Sequence, residues 1–127
     1  MPVPKSALYV VACIGLVQSA AHAASCKPAD PALAGRYSMR GVMETGSMIA
    51  LNADGRFAYM LSYGAYDEVA EGCWQKTARG VVLLSSTKRT SFGVKPFPQM
   101  DLPRNGSGGL VRRFDARHTG IYVRSRR

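Results

Sequence analysis

Asn52-Ala53-Asp54-Gly55 stands between two stretches of alternating apolar and polar residues, an arrangement that calls for a β-hairpin. Glycine enters positive φ without a steric penalty, which is what a tight turn between paired strands requires. After the turn, Phe57, Tyr59, Leu61 and Tyr63 fall on one strand face and Arg56, Ala58, Met60 and Ser62 on the other. Before it, Ile49 and Leu51 continue an apolar face, with Ser47 at the strand's start. A second loop, Thr77-Ala78-Arg79-Gly80, has the same x-Ala-x-Gly form, so a type I turn closed by a left-handed glycine is predicted there too. Val81-Val82-Leu83-Leu84 returns from it, apolar on both sides, as in a strand covered on both faces.

The flanking segments complete an antiparallel pattern. Gly35 to Glu44 reads as a first strand, with Tyr37, Met39, Gly41 and Met43 on one face, and Thr45-Gly46 as the turn after it. Residues 65–72 fit either one helical turn, with Asp67 and Glu68 at its N-terminal end, or an extended connection. Prolines in Val94-Lys95-Pro96-Phe97-Pro98 oppose central strand pairing, and those in Lys27-Pro28-Ala29-Asp30-Pro31 oppose regular structure. Asn105-Gly106-Ser107-Gly108-Gly109 reads as a flexible loop without the strand–loop–helix setting of a phosphate cradle. Leu110–Phe114 and Gly120–Arg124 form two final strands around a turn. The expectation is an all-β fold, a small antiparallel meander of about six to eight short strands forming a barrel or a sandwich.

The first 23 residues read as a signal peptide. Lys5 is a basic start, Ala7 to Val17 an uncharged apolar core, and Ala21-His22-Ala23 a small-x-small cleavage site, with His22-Ala23-Ala24 one register later. That core is shorter than the about 20 residues of a membrane span. Cys26 after Ala-Ala-Ser leaves a lipid anchor open, although Ala23 stands where a larger aliphatic residue is usual. Residues 24–127 are then one β domain, periplasmic or secreted after cleavage near Ala23, with no transmembrane segment expected. Cys13 departs with the leader. Cys26 and Cys73 remain, and an oxidising compartment favours a disulfide between them, worth about 3–4 kcal/mol. Two free thiols, with Cys73 a small buried hydrophobe, are the alternative.

Charge is placed unevenly. From Cys26 to Ser86 six basic residues balance six acidic ones, whereas Thr87 to Arg127 holds ten basic and two acidic. A basic C-terminal third favours an anionic partner such as an envelope component. Arg112, Arg113, Arg124, Arg126 and Arg127 are the candidate contacts, and no specific nucleic acid is implied. Alternatively the arginines only keep the protein soluble.

The run D-G-R-F-A-Y-M-L-S-Y-G-A-Y-D-E-V-A-E-G-C-W, preceded by G-V-M-E-T-G-S, resembles a group of small exported bacterial proteins of unassigned function. That resemblance implies a periplasmic or secreted β protein and brings no catalytic residues with it. The hairpin-rich pattern ending in Gly-x-Trp also resembles lipocalin-type barrels, an analogy of fold and not of function.

Few constellations here carry chemistry. His118 is the one histidine after the leader and falls in a turn, with no Gly-x-Ser-x-Gly elbow elsewhere, so a serine triad is not expected. One histidine and two separated cysteines do not make a zinc site, and no metal or cofactor is expected. Glu44, Asp67 and Glu68, with Glu71, are the only carboxylates suited to acid–base work, as in a small hydrolase, or to holding a cation. Tyr37, Tyr59, Tyr63 and Tyr66 are candidate ligand-binding residues, able to orient a small apolar ligand with their hydroxyls; otherwise they fill the core. A binding or envelope-associated module is the first reading, and a hydrolase using Glu44 with Asp67 or Glu68 the alternative.

Overall fold

A computed structural model describes residues 25–126; the signal-peptide reading of residues 1–23 and the candidate contact Arg127 lie outside them. One turn of 3-10 helix, Pro31–Leu33, capped by the Asp30 carboxylate, follows the proline-rich lead-in. Ten antiparallel strands come after it: β1 (Gly35–Arg40), β2 (Thr45–Leu51), β3 (Arg56–Tyr63), β4 (Tyr66–Lys76), β5 (Gly80–Leu84), β6 (Thr87–Thr90), β7 (Gly93–Pro96), β8 (Met100–Pro103), β9 (Leu110–Arg113) and β10 (Thr119–Arg124). They make one sheet in the order β7-β6-β4-β3-β2-β1-β10-β9, with β5 pairing β4 and β8. The antiparallel all-β expectation holds. The sheet is not closed: between β8 and β9 the pairing shrinks to a single bridge, Arg104 with Leu110.

The sheet curls strongly on itself. Phe97, between β7 and β8, lies 5.9 Å from both Phe57 and Tyr59 of β3, ring centroid to centroid. Alternation along β3 buries Phe57, Tyr59 and Leu61 and exposes Ala58 and Met60, as the sequence predicted for those positions. Tyr63 departs from that face and is exposed, because β3 has run past the core at its end. Ile49, Leu51, Trp74, Val81, Leu83, Leu102 and Leu110 join the same interior, each worth about 1.5–3 kcal/mol if aliphatic.

One end of the sheet is sealed. Gly55 closes the Asn52 turn at φ 92, its N–H donating to the Asn52 carbonyl at 2.9 Å. Trp74 is fully buried beneath that turn and donates its indole N–H to the same carbonyl at 2.8 Å. The lead-in lies across the hairpin, with Ala29 N–H on the Ala53 carbonyl at 3.0 Å and Cys26 joined to Cys73 of β4 in a disulfide. Leu33 is buried at this end, and its carbonyl accepts from the buried Tyr37 hydroxyl at 2.7 Å.

Several boundaries differ from expectation. β1 stops at Arg40, and the turn is Gly41–Glu44 rather than Thr45-Gly46, with Gly41 at φ 94 and Glu44 at φ 57. Residues 66–72 are extended, because a two-residue turn at Gly64-Ala65 sets Tyr66 opposite Tyr63 and starts the long strand β4. Gly80 does not take positive φ; glycine is needed there because a side chain would collide with the Leu102 carbonyl of β8. Ten strands replace six to eight. The surplus is the β6–β7 hairpin, in which Pro96 is tolerated because β7 pairs only with β6. Asn105–Gly109 is a bonded turn, its shape set by the Asn105 side-chain oxygen, which accepts from Ser107 N–H at 3.0 Å and Gly109 N–H at 2.8 Å.

A side chain at Gly55 would meet two obstacles, the positive φ and a collision with the Lys27 carbonyl oxygen. Gly55→Val is therefore expected to lose more than about 1 kcal/mol. Thermal unfolding followed by circular dichroism checks this, and an unchanged melting temperature would show that neither obstacle operates.

Candidate functional site

Opposite the sealed end, the core turns polar. Leu61 and Glu68 are paired across β3 and β4, so the register that buries Leu61 also carries the Glu68 side chain inward, 6% exposed. Tyr59 donates a short hydrogen bond to Glu68 Oε2, while Tyr66 donates to Oε1 at 2.7 Å and Lys88 Nζ of β6 lies 2.8 Å from Oε1. Burial alone would push this carboxyl up. The Lys88, Tyr59 and Tyr66 hydrogen bonds outweigh burial and hold it below the ordinary carboxylate range, so Glu68 is ionised at neutral pH. Tyr59 is moved the opposite way, its pKa raised first by burial and further by Glu68, against the opposing charge of Arg112.

Arg112 of β9 reaches across the curled sheet to the same cluster. Its Nη1 donates to the hydroxyls of Tyr59 at 3.0 Å and Tyr122 at 3.1 Å, and Tyr122 in turn is 2.7 Å from Ser47 Oγ. The guanidinium carbon sits 4.3 Å from the Phe114 ring centroid and 5.4 Å from that of Tyr59, so aromatic surface flanks the group. Burial works against its charge, but the Tyr122 and Tyr59 oxygens more than offset this, and its pKa is raised. Among the described residues no carboxylate lies within salt-bridge distance of Arg112; the ion pairs are Lys76–Asp30, Lys88–Glu68 and His118–Asp115.

Lys88, Glu68, Arg112 and Arg113 line a pocket of about 230 Å³ that is open to solvent, with Phe97, Met100 and Asp101. Larger depressions, of about 590 Å³ beside Ser85–Arg89 and about 1120 Å³ beside Gly35–Arg36, are lined by neither Glu68 nor Arg112.

The four candidate tyrosines divide. Tyr59 and Tyr66 meet on Glu68, Tyr37 lies at the sealed end, and Tyr63 is exposed. The candidate arginines divide as well. Arg112 points into the polar cluster, and Arg124 donates to the Ala32 carbonyl at 2.6 Å and the Tyr37 hydroxyl at 3.0 Å. Arg113 and Arg126 are exposed. The carboxylates are not gathered: Asp67 is exposed and accepts from Ser62 Oγ at 2.6 Å, Glu68 points to the opposite face, and Glu44 is exposed in its turn. His118 is an exposed turn residue bonded to Asp115 at 2.9 Å. Lys88 and Ser47 were missed as site residues. A two-residue hairpin at Gly64-Ala65, had it been assumed, would have placed Glu68 beside Leu61 and demanded a buried cationic partner.

Glu68→Gln is expected to destabilise by about 2–4 kcal/mol at neutral pH, since Lys88 loses its counter-charge in a buried setting. A folded-state pKa below the unfolded one gives stability that is full above the ordinary glutamate value of about 4.3 and lost as pH falls through the lower folded value. The gap between wild type and variant should therefore narrow on acidification; urea unfolding across pH reads it, and a constant gap contradicts the ionised carboxylate. The arginines should also separate. Arg113→Gln and Arg126→Gln should shift stability by less than about 0.5 kcal/mol. Arg112→Gln and Arg124→Gln, which each remove hydrogen bonds to tyrosine hydroxyls, should lose about 1–2 kcal/mol in the same assay.

No protein-family model, no curated protein and no solved structure matches this chain.

Proposed function

We infer that this chain is an exported, non-enzymatic β domain, periplasmic or secreted, that works as a barrel-like cup of lipocalin type and takes a small ligand at its polar mouth. The observation that carries this is the contrast between the two ends: one plugged by Leu33, Trp74 and the disulfide, the other opening a buried polar cluster into a solvent-reachable pocket. The near approach of β8 to β9, with their single bridge, supports a barrel over a sandwich. Export is supported by the leader pattern and is compatible with the disulfide.

Binding is favoured over hydrolysis by the state of the groups. An acid–base pair needs one carboxyl poised to hold a proton. Glu68 is held ionised by three donors, and Asp67 faces away from it. A second reading applies to the basic C-terminal third: exposed Arg113, Arg117 and Arg126 have no ion-pair partner among the described residues and favour contact with an anionic envelope component.

Protein isolated from its native compartment is expected to lack residues 1–23 and to release a small molecule on denaturation, identified by mass spectrometry. Gln99→Trp, which adds bulk to the pocket lining without touching the polar cluster, should lose that molecule while keeping its melting temperature. Retention of the leader would refute export, and equal release from the variant would refute the mouth as the binding place.

A further inference from the structure

Arg112 spends only one edge of its guanidinium on the protein. Both its hydrogen bonds leave from Nη1, to Tyr59 and Tyr122. Among the described residues no buried side-chain nitrogen or oxygen lacks a partner, so Nε and Nη2, which have no protein acceptor, are reached by solvent. An arginine so placed offers two parallel N–H donors, the geometry that matches a carboxylate. Phe114 and Tyr59 flank the group and the two phenols hold Nη1, so the fork is fixed before a ligand arrives. Pre-organisation of that kind reduces the ordering that binding requires.

We propose that Arg112 is the anchor of a binding site for small monocarboxylates with an apolar body, which rests on the reading of this end as a ligand mouth. Charge in the pocket selects a single negative charge. Lys88 is already paired with Glu68 and the lining Arg113 is an exposed residue, so the Arg112 guanidinium is the half-buried cation without a carboxylate, while Glu68 and Asp101 in the lining disfavour a doubly charged anion such as phosphate. Phe97, Pro98 and Met100 supply apolar surface beside the fork. The volume of about 230 Å³ matches a compact body such as a short aliphatic chain or one aromatic ring.

The test is a titration of the purified, processed protein with benzoate and hexanoate, with benzamide and hexanol as uncharged matches, and with inorganic phosphate. Nuclear magnetic resonance of the Arg112 Nε–H and the Met100 methyl group reads binding at the site. Both carboxylates should shift both signals, and the uncharged matches and phosphate should bind at least about tenfold more weakly. Arg112→Gln should abolish carboxylate binding, and Arg126→Gln, which lies away from this pocket, should leave it intact. If Arg112→Gln does not fold, Arg112→Lys keeps the charge without the fork and should also weaken the carboxylates. Equal binding of benzamide and benzoate at Met100 would overturn the carboxylate anchor while leaving the mouth reading standing. A preference for phosphate, or silence of both signals with every probe, would overturn the proposal, and the co-purification experiment then judges the mouth on its own.

Discussion

A carboxylate buried among aromatic rings has to be neutralised, and the polar end of this protein is arranged by that requirement. Glu68 is nearly inaccessible, and an unpaired charge there would oppose folding by several kcal/mol. Its donors come from three strands: Tyr59 of β3, Tyr66 of β4 and Lys88 of β6. Meeting all of them fixes where β6 crosses β4, and the β6–β7 hairpin is carried with it. The same Tyr59 hydroxyl that donates to Glu68 accepts from Arg112, so the demand propagates to β9 and, through Tyr122 and Ser47, to β10 and β2. One buried charge thereby links strands that are far apart along the sheet.

The sealed end uses different physics. There the contacts are apolar burial, a buried indole bonded to a turn carbonyl, and a covalent tie from the lead-in to β4. The one bridge between β8 and β9, Arg104 with Leu110, lies toward that sealed end, and no ladder joins Met100 to Arg112 beside the polar cluster.

Much of the fold was legible. Asn52–Gly55 announced the hairpin, and alternation placed Phe57, Tyr59 and Leu61 inward. Cys26 and Cys73 pair as their number suggested. Strand β4 was harder, because a glutamate on its inner face and Val69 on its outer face break the binary pattern that marks a half-buried strand. The turn at Thr77–Gly80 resembled the first one in sequence but not in backbone, since the same glycine answers crowding in one place and positive φ in the other. Tyr59 and Tyr66 stood out for their hydroxyls, yet their acceptor Glu68 lies in a stretch that fitted a helical turn as well as an extended connection. Arg112 was grouped with surface arginines; its partner Tyr59 is 53 positions away, and composition alone does not distinguish an inward guanidinium from an outward one.

The protonation states in the polar cluster limit the chemistry available there. Glu68 is held charged, and Tyr59 is held neutral by burial and by its bond to that carboxylate. Each is stabilised in its present form by the other, so moving a proton between them breaks the arrangement that buries both. A group locked this way makes a poor general acid or base, whose usefulness depends on lying near its titration point. Locked groups serve recognition well, because donors and acceptors of fixed sign and position discriminate among ligands without reorganising. Arg112 completes this division of labour: one edge of its guanidinium is committed to the phenols that anchor the network, and the other edge faces solvent.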